Sequence, residues 1–254
     1  NGLGGGPGGG RYKKMNWEGE VTWDYNLPEE ICIPHHDITV LPNGNILSIC
    51  TEERTQQEAL NAGIQNIDGP MKLDMVIEIK PVGTDEAEIV WEWRFWDHLV
   101  QDVNPLLDNY GQLSENPQLL DINTPVPGGG GNEPGINDWN HCNSIAYHPI
   151  FDQIVLSARS MNEFYVVDHS TSTQESAGHT GGNSGKGGDF LYRWGNPQQY
   201  NRGNGADQIL QAQHGVNWIP EGYPGAGNII LFNNNHSPNS SAVLEIVPPV
   251  DENG

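Results

Sequence analysis

Short runs of alternating or β-branched residues, closed off by Gly, Pro, Asn and Asp, recur along the chain, and this period of two marks strands rather than helices. The runs fall into three rounds of one order. "GEVTWDY" (19–25) leads to "HHDITVLPNGNILSIC" (35–50) and "DMVIEIKP" (74–81). "AEIVWEWRF" (87–95) leads to "HCNSIAYHPIFDQIVLSAR" (141–159) and "EFYVVDH" (163–169). "GDFLYRWG" (188–195) leads to "HGVNWIPEGYPGAGNIILFN" (214–233) and "AVLEIVPP" (242–249). Each round holds a Trp-bearing strand, a strand opened by histidine, a Pro-containing turn, an apolar strand and a fourth strand with a polar or proline stop. Within "LPNGNILSI" the Asn43-Gly44 pair between apolar runs is a strong hairpin signal. Twelve strands in three fours predict an all-β fold built from four-stranded β-propeller blades. Propellers close with about four to eight blades, so three recognisable blades predict part of a ring, or a ring whose other blades are too degenerate to read.

Three insertions interrupt the pattern. "TEERTQQEALNAG" (51–63) predicts a helix, with acidic residues at its start and Gly at its end. Residues 96–138 are too long for a plain connection and predict a partly helical excursion over one face, while 170–188 predict a polar, glycine-rich loop. The resulting division is a flexible Gly-rich lead-in over 1–16, a β-propeller domain or part of one over 17–250, and a tail over 251–254.

Composition agrees with many short strands. Apolar residues make up 35% of the 254, and Gly 32 and Pro 18 are both raised. The formal charge of −22, from 33 acidic against 11 basic residues, argues against nucleic acid as a partner and means that an anionic ligand needs a local basic focus. No apolar run reaches the roughly 18 residues of a membrane span, and "NGLGGGPGGGRYKK" lacks the apolar core of a signal peptide. Cys32, Cys50 and Cys142 form no CxxC pair; a bridge between Cys32 and Cys50 is left open.

The same strand position carries His36, His141 and His214. Equivalent propeller strands run beside the central channel, so residues at their starts converge on its mouth. Two readings compete: a histidine in each repeat that bonds a neighbouring strand, and a shared site. Asp37 stands beside His36 and Asp138 near His141, but no carboxylate lies near His214, so a repeated His-Asp scaffold bond is not evident. Arg159, one of six arginines, ends the apolar strand "QIVLSAR". Imidazoles with one guanidinium suit an oxyanion that carries a leaving group: Arg offers a planar fork of donors, and histidine can attack or pass a proton near neutral pH. Three histidines can also bind zinc, but Arg159 in the same pocket would repel a cation, so no metal is expected there.

Asn143 and Asn217 follow their histidines closely and are candidates to orient a ring or bind substrate. "GGNSGKGG" fails as a phosphate-binding loop because Gly187 follows Lys186. His148, His169 and His179 are expected at the surface on turns or loops, and Trp23, Trp91, Trp93 and Trp194 in the core.

The segments "HHDITVLPNGNIL", "DWNHCNSIAYHPIFDQIVLSAR", "GHTGGNSGKGGDFLYRWGNPQQY" and "QHGVNWIPEGYPGAGNIILFNN" make the chain resemble, over roughly 17–250, the bacterial arylsulfate sulfotransferases that use no nucleotide sulfate donor. The most specific element is His141 with Arg159 eighteen residues later. The resemblance implies a six-bladed propeller that moves a sulfuryl group from a phenolic sulfate ester to a phenol acceptor, through a sulfohistidine in the central channel and without a cofactor. By motif, His214 resembles the nucleophile, while His36, His141 and Arg159 resemble the groups that hold the sulfuryl oxygens and assist the leaving phenol; which of His36 and His141 donates the proton stays open. A periplasmic or secreted location follows from the same resemblance, and a homo-oligomer or assembly is left open. The alternatives are a non-catalytic extracellular binding or structural propeller module, and a sulfatase-like hydrolase with water as acceptor.

Overall fold

Asp24 on one strand grips Arg11 on the next through two hydrogen bonds of 2.6 Å, and this closes the antiparallel pair β1 (Arg11–Met15) and β2 (Val21–Asn26). Arg11–Met15 is therefore a paired strand, where the sequence reading placed lead-in. The computed structural model describes residues 10–124 and 138–250; the remaining lead-in, the end of the 96–138 excursion and the tail over 251–254 lie outside the described residues.

Three antiparallel sheets follow, each in plain chain order. The first holds β3 (Ile33–Val40), β4 (Ile46–Arg54), β5 (Met71–Val82) and β6 (Glu86–Arg94). Between the first and second sheets, β7 (Leu99–Val100) and β8 (Leu120–Asp121) make a short parallel pair. The second holds β9 (Cys142–His148), β10 (Gln153–Ala158), β11 (Glu163–Asp168) and β12 (Tyr192–Trp194); the third holds β13 (His214–Trp218), β14 (Ile229–Ser237) and β15 (Ser240–Ile246).

The repeat is real, but its phase differs from the sequence reading by one strand. The Trp-bearing strands β6 and β12 close their sheets, and β2 with Trp23 pairs with β1, not with β3. Connection length is the reason. Only Gly83–Asp85 separate β5 from β6, and Gly83 at φ 56 turns the chain back, whereas β9 follows β6 only after the long excursion. Sequence runs show where strands are, not which gap is a hairpin.

Alternation along the strands explains the apolar runs. Leu47, Ile49 and Val76 of the first sheet pack with Ile154, Leu156 and Tyr165 of the second. The opposite face of the first sheet, with Met75 and Ile77, covers Tyr12 and Trp23 of β1–β2. Val155 and Phe164, on the far side of the second sheet, meet Val216 and Leu231 of the third. Burial on both faces demands near-continuous apolar strands, and each such side chain contributes roughly 1.5–3 kcal/mol.

The first strands of the three sheets lie side by side. The Ile145 N–H donates to Asp37 Oδ2 at 3.1 Å, the Val216 N–H to Ser144 Oγ at 2.8 Å, and Asn143 Nδ2 to the Gln213 carbonyl at 2.8 Å. Thus β9 sits between β3 and β13, and the segments that carry the histidines form one row; His36 lies inside β3, which begins at Ile33, and does not open the strand as its pattern predicted.

The insertions differ in detail from expectation. Strand β4 runs on to Arg54, and the predicted helix contracts to α1 (Gln56–Asn61), started by a Thr55/Glu58 capping box. Within 170–188 a second box, Ser172/Glu175, starts α2 (Thr173–Ser176). The described part of the excursion carries single 3-10 turns at Phe95–His98 and Leu113–Glu115 beside the β7–β8 pair. All three cysteines are buried free thiols, so Cys32 and Cys50 are not bridged. Among the described residues no helix is long and apolar enough to cross a membrane.

Candidate functional site

The three histidines stand at breaks in strand pairing. Register shifts fall between Pro34 and Ile38 on β3, between Ser157 and Ala158 opposite the start of β9, and between His214 and Asn217 on β13. His36 at φ 55 and His141 at φ 49 are left-handed, while beside His214 the left-handed positions are Ala212 at φ 53 and Gly215 at φ 64. A non-glycine residue held there costs roughly 1–3 kcal/mol, and bulges re-aim the side chains they carry. Here they bring the rings of His36 and His141 into edge contact, with centroids 4.8 Å apart.

Each ring has a different support. His36 Nδ1 lies 2.7 Å from His35 Nδ1, and His35 Nε2 donates to Asp74 Oδ1 at 3.0 Å. The other Asp74 oxygen accepts the backbone N–H of Cys142 at 2.5 Å, so this buried carboxylate joins β5 to both histidine strands. Burial works against charge on His35 and Asp74, but each holds the other ionised: the His35 pKa lies above its ordinary 6.5, and that of Asp74 lies below its ordinary 3.8. His36 is held below 6.5 by burial first, then by the His35 and His141 rings. His141 Nδ1 meets Asp138 Oδ2 at 2.5 Å. Among the described residues no acid pairs with His214; its Nδ1 lies 3.0 Å from the Ala212 carbonyl oxygen and 2.8 Å from Asn234 Nδ2.

Arg159 is placed by the β9–β10 hairpin. Its N–H donates to the His141 carbonyl at 3.1 Å, which makes the two residues cross-strand neighbours and explains their sequence spacing. Arg11, Arg54, Arg94 and Arg193 are ion-paired, and Arg202 donates to the Ser114 carbonyl at 2.8 Å. Among the described residues the half-buried guanidinium of Arg159 has neither kind of partner. The Arg159–Met161 turn ends at Asn162, whose Oδ1 accepts the Ala212 N–H at 2.9 Å, so one thread of contacts runs from the Arg159 turn to the carbonyl on His214.

Asn143 is buried with its Nδ2 on the Gln213 carbonyl, next to His214; it anchors the nucleophile-candidate strand. Asn217 is exposed, with a long 3.4 Å contact to the Gly215 carbonyl. Asp37, adjacent to His36, bonds the Ile145 backbone instead of an imidazole. His35, Asp74 and Asn234 are the functional candidates that spacing missed. The doubled histidine of "HHDI" and the aspartate within the apolar run "MKLDMVIEI" were the available signals. The surface reading of His169 is corrected: its ring is wedged between Glu78 at 2.9 Å and Asp152 at 2.7 Å because the sheets pack at that strand end. His148 is half-buried against Phe151, and His179 is exposed as expected.

The Asp74–His35 pair predicts a pH signature for Asp74→Asn. Asp74, held low, stabilises the fold above 3.8 and loses that contribution as pH falls through its folded value; His35, held high, contributes fully below 6.5 and loses it as pH rises through its folded value. The stability gap between wild type and variant, measured by urea unfolding, is therefore greatest between pH 3.8 and 6.5 and narrows on both sides. A gap constant across pH contradicts the ion pair.

Sheets in chain order, with three histidines along one row and Arg159 bonded through its backbone to His141, define an all-β protein with a candidate histidine site. The Arylsulfotransferase (ASST) family model matches residues 5–244, nearly the whole chain, and the chain belongs to that family. Comparison with curated proteins finds no match. Among solved structures, a chain of Kuenenia stuttgartiensis hydrazine synthase is similar at TM-score 0.40 and 12% identity, over 95% of this chain and 52% of that one; the present chain thus spans about half its length.

Proposed function

We propose that this chain carries the site of an arylsulfate sulfotransferase that moves a sulfuryl group from a phenolic sulfate ester to a phenol through a sulfohistidine, in a periplasmic or secreted protein. The observation that carries the reading is Arg159, an arginine without an acidic partner beside His141, whose ring touches His36. In a chain of charge −22 it supplies the basic focus that an oxyanion needs. The row of strand starts β3, β9 and β13 is read as part of a propeller channel wall, with the sheets as blades.

In the reactive tautomer His214 Nδ1–H donates to the Ala212 carbonyl, Asn234 Nδ2 donates to that oxygen and not to the ring, and the Nε2 lone pair is free. That nitrogen attacks sulfur, the N–S bond forms, and the bond from sulfur to the phenolic oxygen breaks. His141, its Nδ1 held by Asp138, gives the departing oxygen a proton. His36, kept neutral, presents a hydrogen-bond donor to a sulfuryl oxygen without competing for the proton, and Arg159 spans the others. A second phenol returns its proton to His141 as its oxygen takes the sulfuryl group and the N–S bond breaks. The covalent intermediate divides one displacement into two.

The test is release of p-nitrophenol from p-nitrophenyl sulfate, expected to accelerate when a phenol is added. Release indifferent to the acceptor identifies a hydrolase, and binding without release identifies a non-catalytic module. Arg159→Lys is expected to lower kcat/KM by roughly 10²–10³, because an ammonium cannot reproduce the planar fork; activity within a few-fold of wild type removes Arg159 from the site.

A further inference from the structure

Away from the histidine row, the turn after β6 buries a second imidazole cluster that the sulfotransferase reading does not use. His98 is fully buried, and its ring lies parallel to Trp93 with centroids 5.5 Å apart. Its Nε2 lies 2.8 Å from the Ser176 carbonyl oxygen at the end of α2. A carbonyl only accepts, so this nitrogen carries the hydrogen. The other nitrogen, Nδ1, faces Asp189 Oδ1 at 2.9 Å, and the same oxygen lies 2.7 Å from Nδ1 of His179.

With an N–H committed at Nε2, His98 turns its other ring nitrogen toward a carboxylate. Two electron-rich atoms at that distance, shielded from water, need a positive centre between them, either a proton or a metal ion. A second imidazole on the same oxygen is what favours the metal. We infer that His98, His179 and Asp189 form a site for a divalent ion of the zinc type. Neutral imidazoles with one carboxylate are a common donor set for that ion, and the three ligand atoms lie within 4.8 Å of one another. Metal bonds of about 2.0–2.2 Å close that span when the exposed His179 ring turns inward.

The surroundings hold the ligands in place. The bond from His98 Nε2 to the Ser176 carbonyl is the outer contact that fixes ring orientation and leaves Nδ1 for a metal. Gly188 brings Asp189 close: a Cβ there would lie 2.0 Å from the Ser176 oxygen and 2.6 Å from His98 Nε2. Trp93 Nε1 donates to the Gly188 carbonyl at 2.8 Å, so the backbone before the carboxylate is fixed as well. His179 also lines a cavity of about 530 Å³ beside Trp96, Asp97 and Tyr110, which gives an ion a path from solvent. The bound ion joins the turn after β6 to the glycine-rich segment 170–188, and so clips a long connection to the first sheet.

The experiment strips the full chain with a chelator and titrates Zn²⁺ against a competing chromophoric chelator, in wild type, His179→Ala, Asp189→Asn and His36→Asn. His179 is exposed, so its removal does not threaten the fold. One equivalent is expected to bind wild type and His36→Asn alike, with affinity roughly 100-fold lower in His179→Ala and Asp189→Asn. Zinc is also expected to slow proteolysis within 170–188 in wild type but not in His179→Ala. Failure of wild type to bind, undiminished affinity in His179→Ala, or loss confined to His36→Asn overturns the site. None of these outcomes bears on aryl sulfate turnover.

Discussion

Replacing His214 by asparagine is expected to lower sulfuryl transfer by roughly 10³-fold or more, with the unfolding midpoint essentially unchanged. The size follows from the role. His214 forms the covalent bond, so its loss removes both half-reactions, whereas Arg159 and His36 only stabilise charge on the transferring group. The fold tolerates the change because the site needs little from the ring. Asparagine retains an N–H for the Ala212 carbonyl, and Asn234 Nδ2 already donates to that oxygen at 2.6 Å. Incubation with aryl [³⁵S]sulfate separates the steps. Wild type is expected to retain label that is released by acid and stable to base, as an N–S bond requires, and His214→Asn is expected to retain none. A labelled variant, or one with full transfer, moves the nucleophile elsewhere.

The largest effect on stability is expected at Arg193, whose partner Glu163 accepts Gln213 Nε2 at its backbone carbonyl at 2.8 Å. Its guanidinium pairs with the fully buried Glu163 and donates to the Leu119 carbonyl at 2.9 Å. It also lies over the Tyr200 ring at 4.2 Å, and Glu163 accepts the Tyr165 hydroxyl at 2.9 Å. Arg193→Met removes the cation and leaves a carboxylate that burial already pushes toward its neutral form. A destabilisation of about 3–5 kcal/mol is expected in urea unfolding. The double variant Arg193→Met/Glu163→Gln is expected to recover part of it, because the orphaned charge, more than the lost attraction, is what costs stability. A single-variant loss below about 1 kcal/mol would show that water reaches the pair.

Much of the histidine row was legible because it repeats. His36, His141 and His214 each stand just before or within the first strand of a round, and Arg159 follows the strand that hairpins back from His141. Spacing across one hairpin is local information. The supports were not legible in this way. Asp74 lies on β5, and reaches His35 and the Cys142 amide only because β3 and β9 pack together. Asp37 and Asp138 look alike beside their histidines, yet one bonds a backbone amide of the next sheet and the other an imidazole. His169 was read as a loop residue because the carboxylates that enclose it come from β5 and from the β9–β10 turn.

What the amino-acid order by itself determined is twelve of the fifteen described strands, their all-β character, the turn at Asn43-Gly44 and the recurrence of histidine at the first strand of each round. Each is written in a period of two or in a turn residue with its own backbone preference. What only the tertiary structure decided is which strands share a sheet, where each sheet begins, and which polar groups meet across sheets. Periodicity records that a residue is covered, and it carries no label for the strand that covers it. The Trp strands show the difference: Trp23, Trp91 and Trp93 are buried and Trp194 partly so, but the three-residue turn before β6 makes its Trp strand the last of its sheet rather than the first of the next.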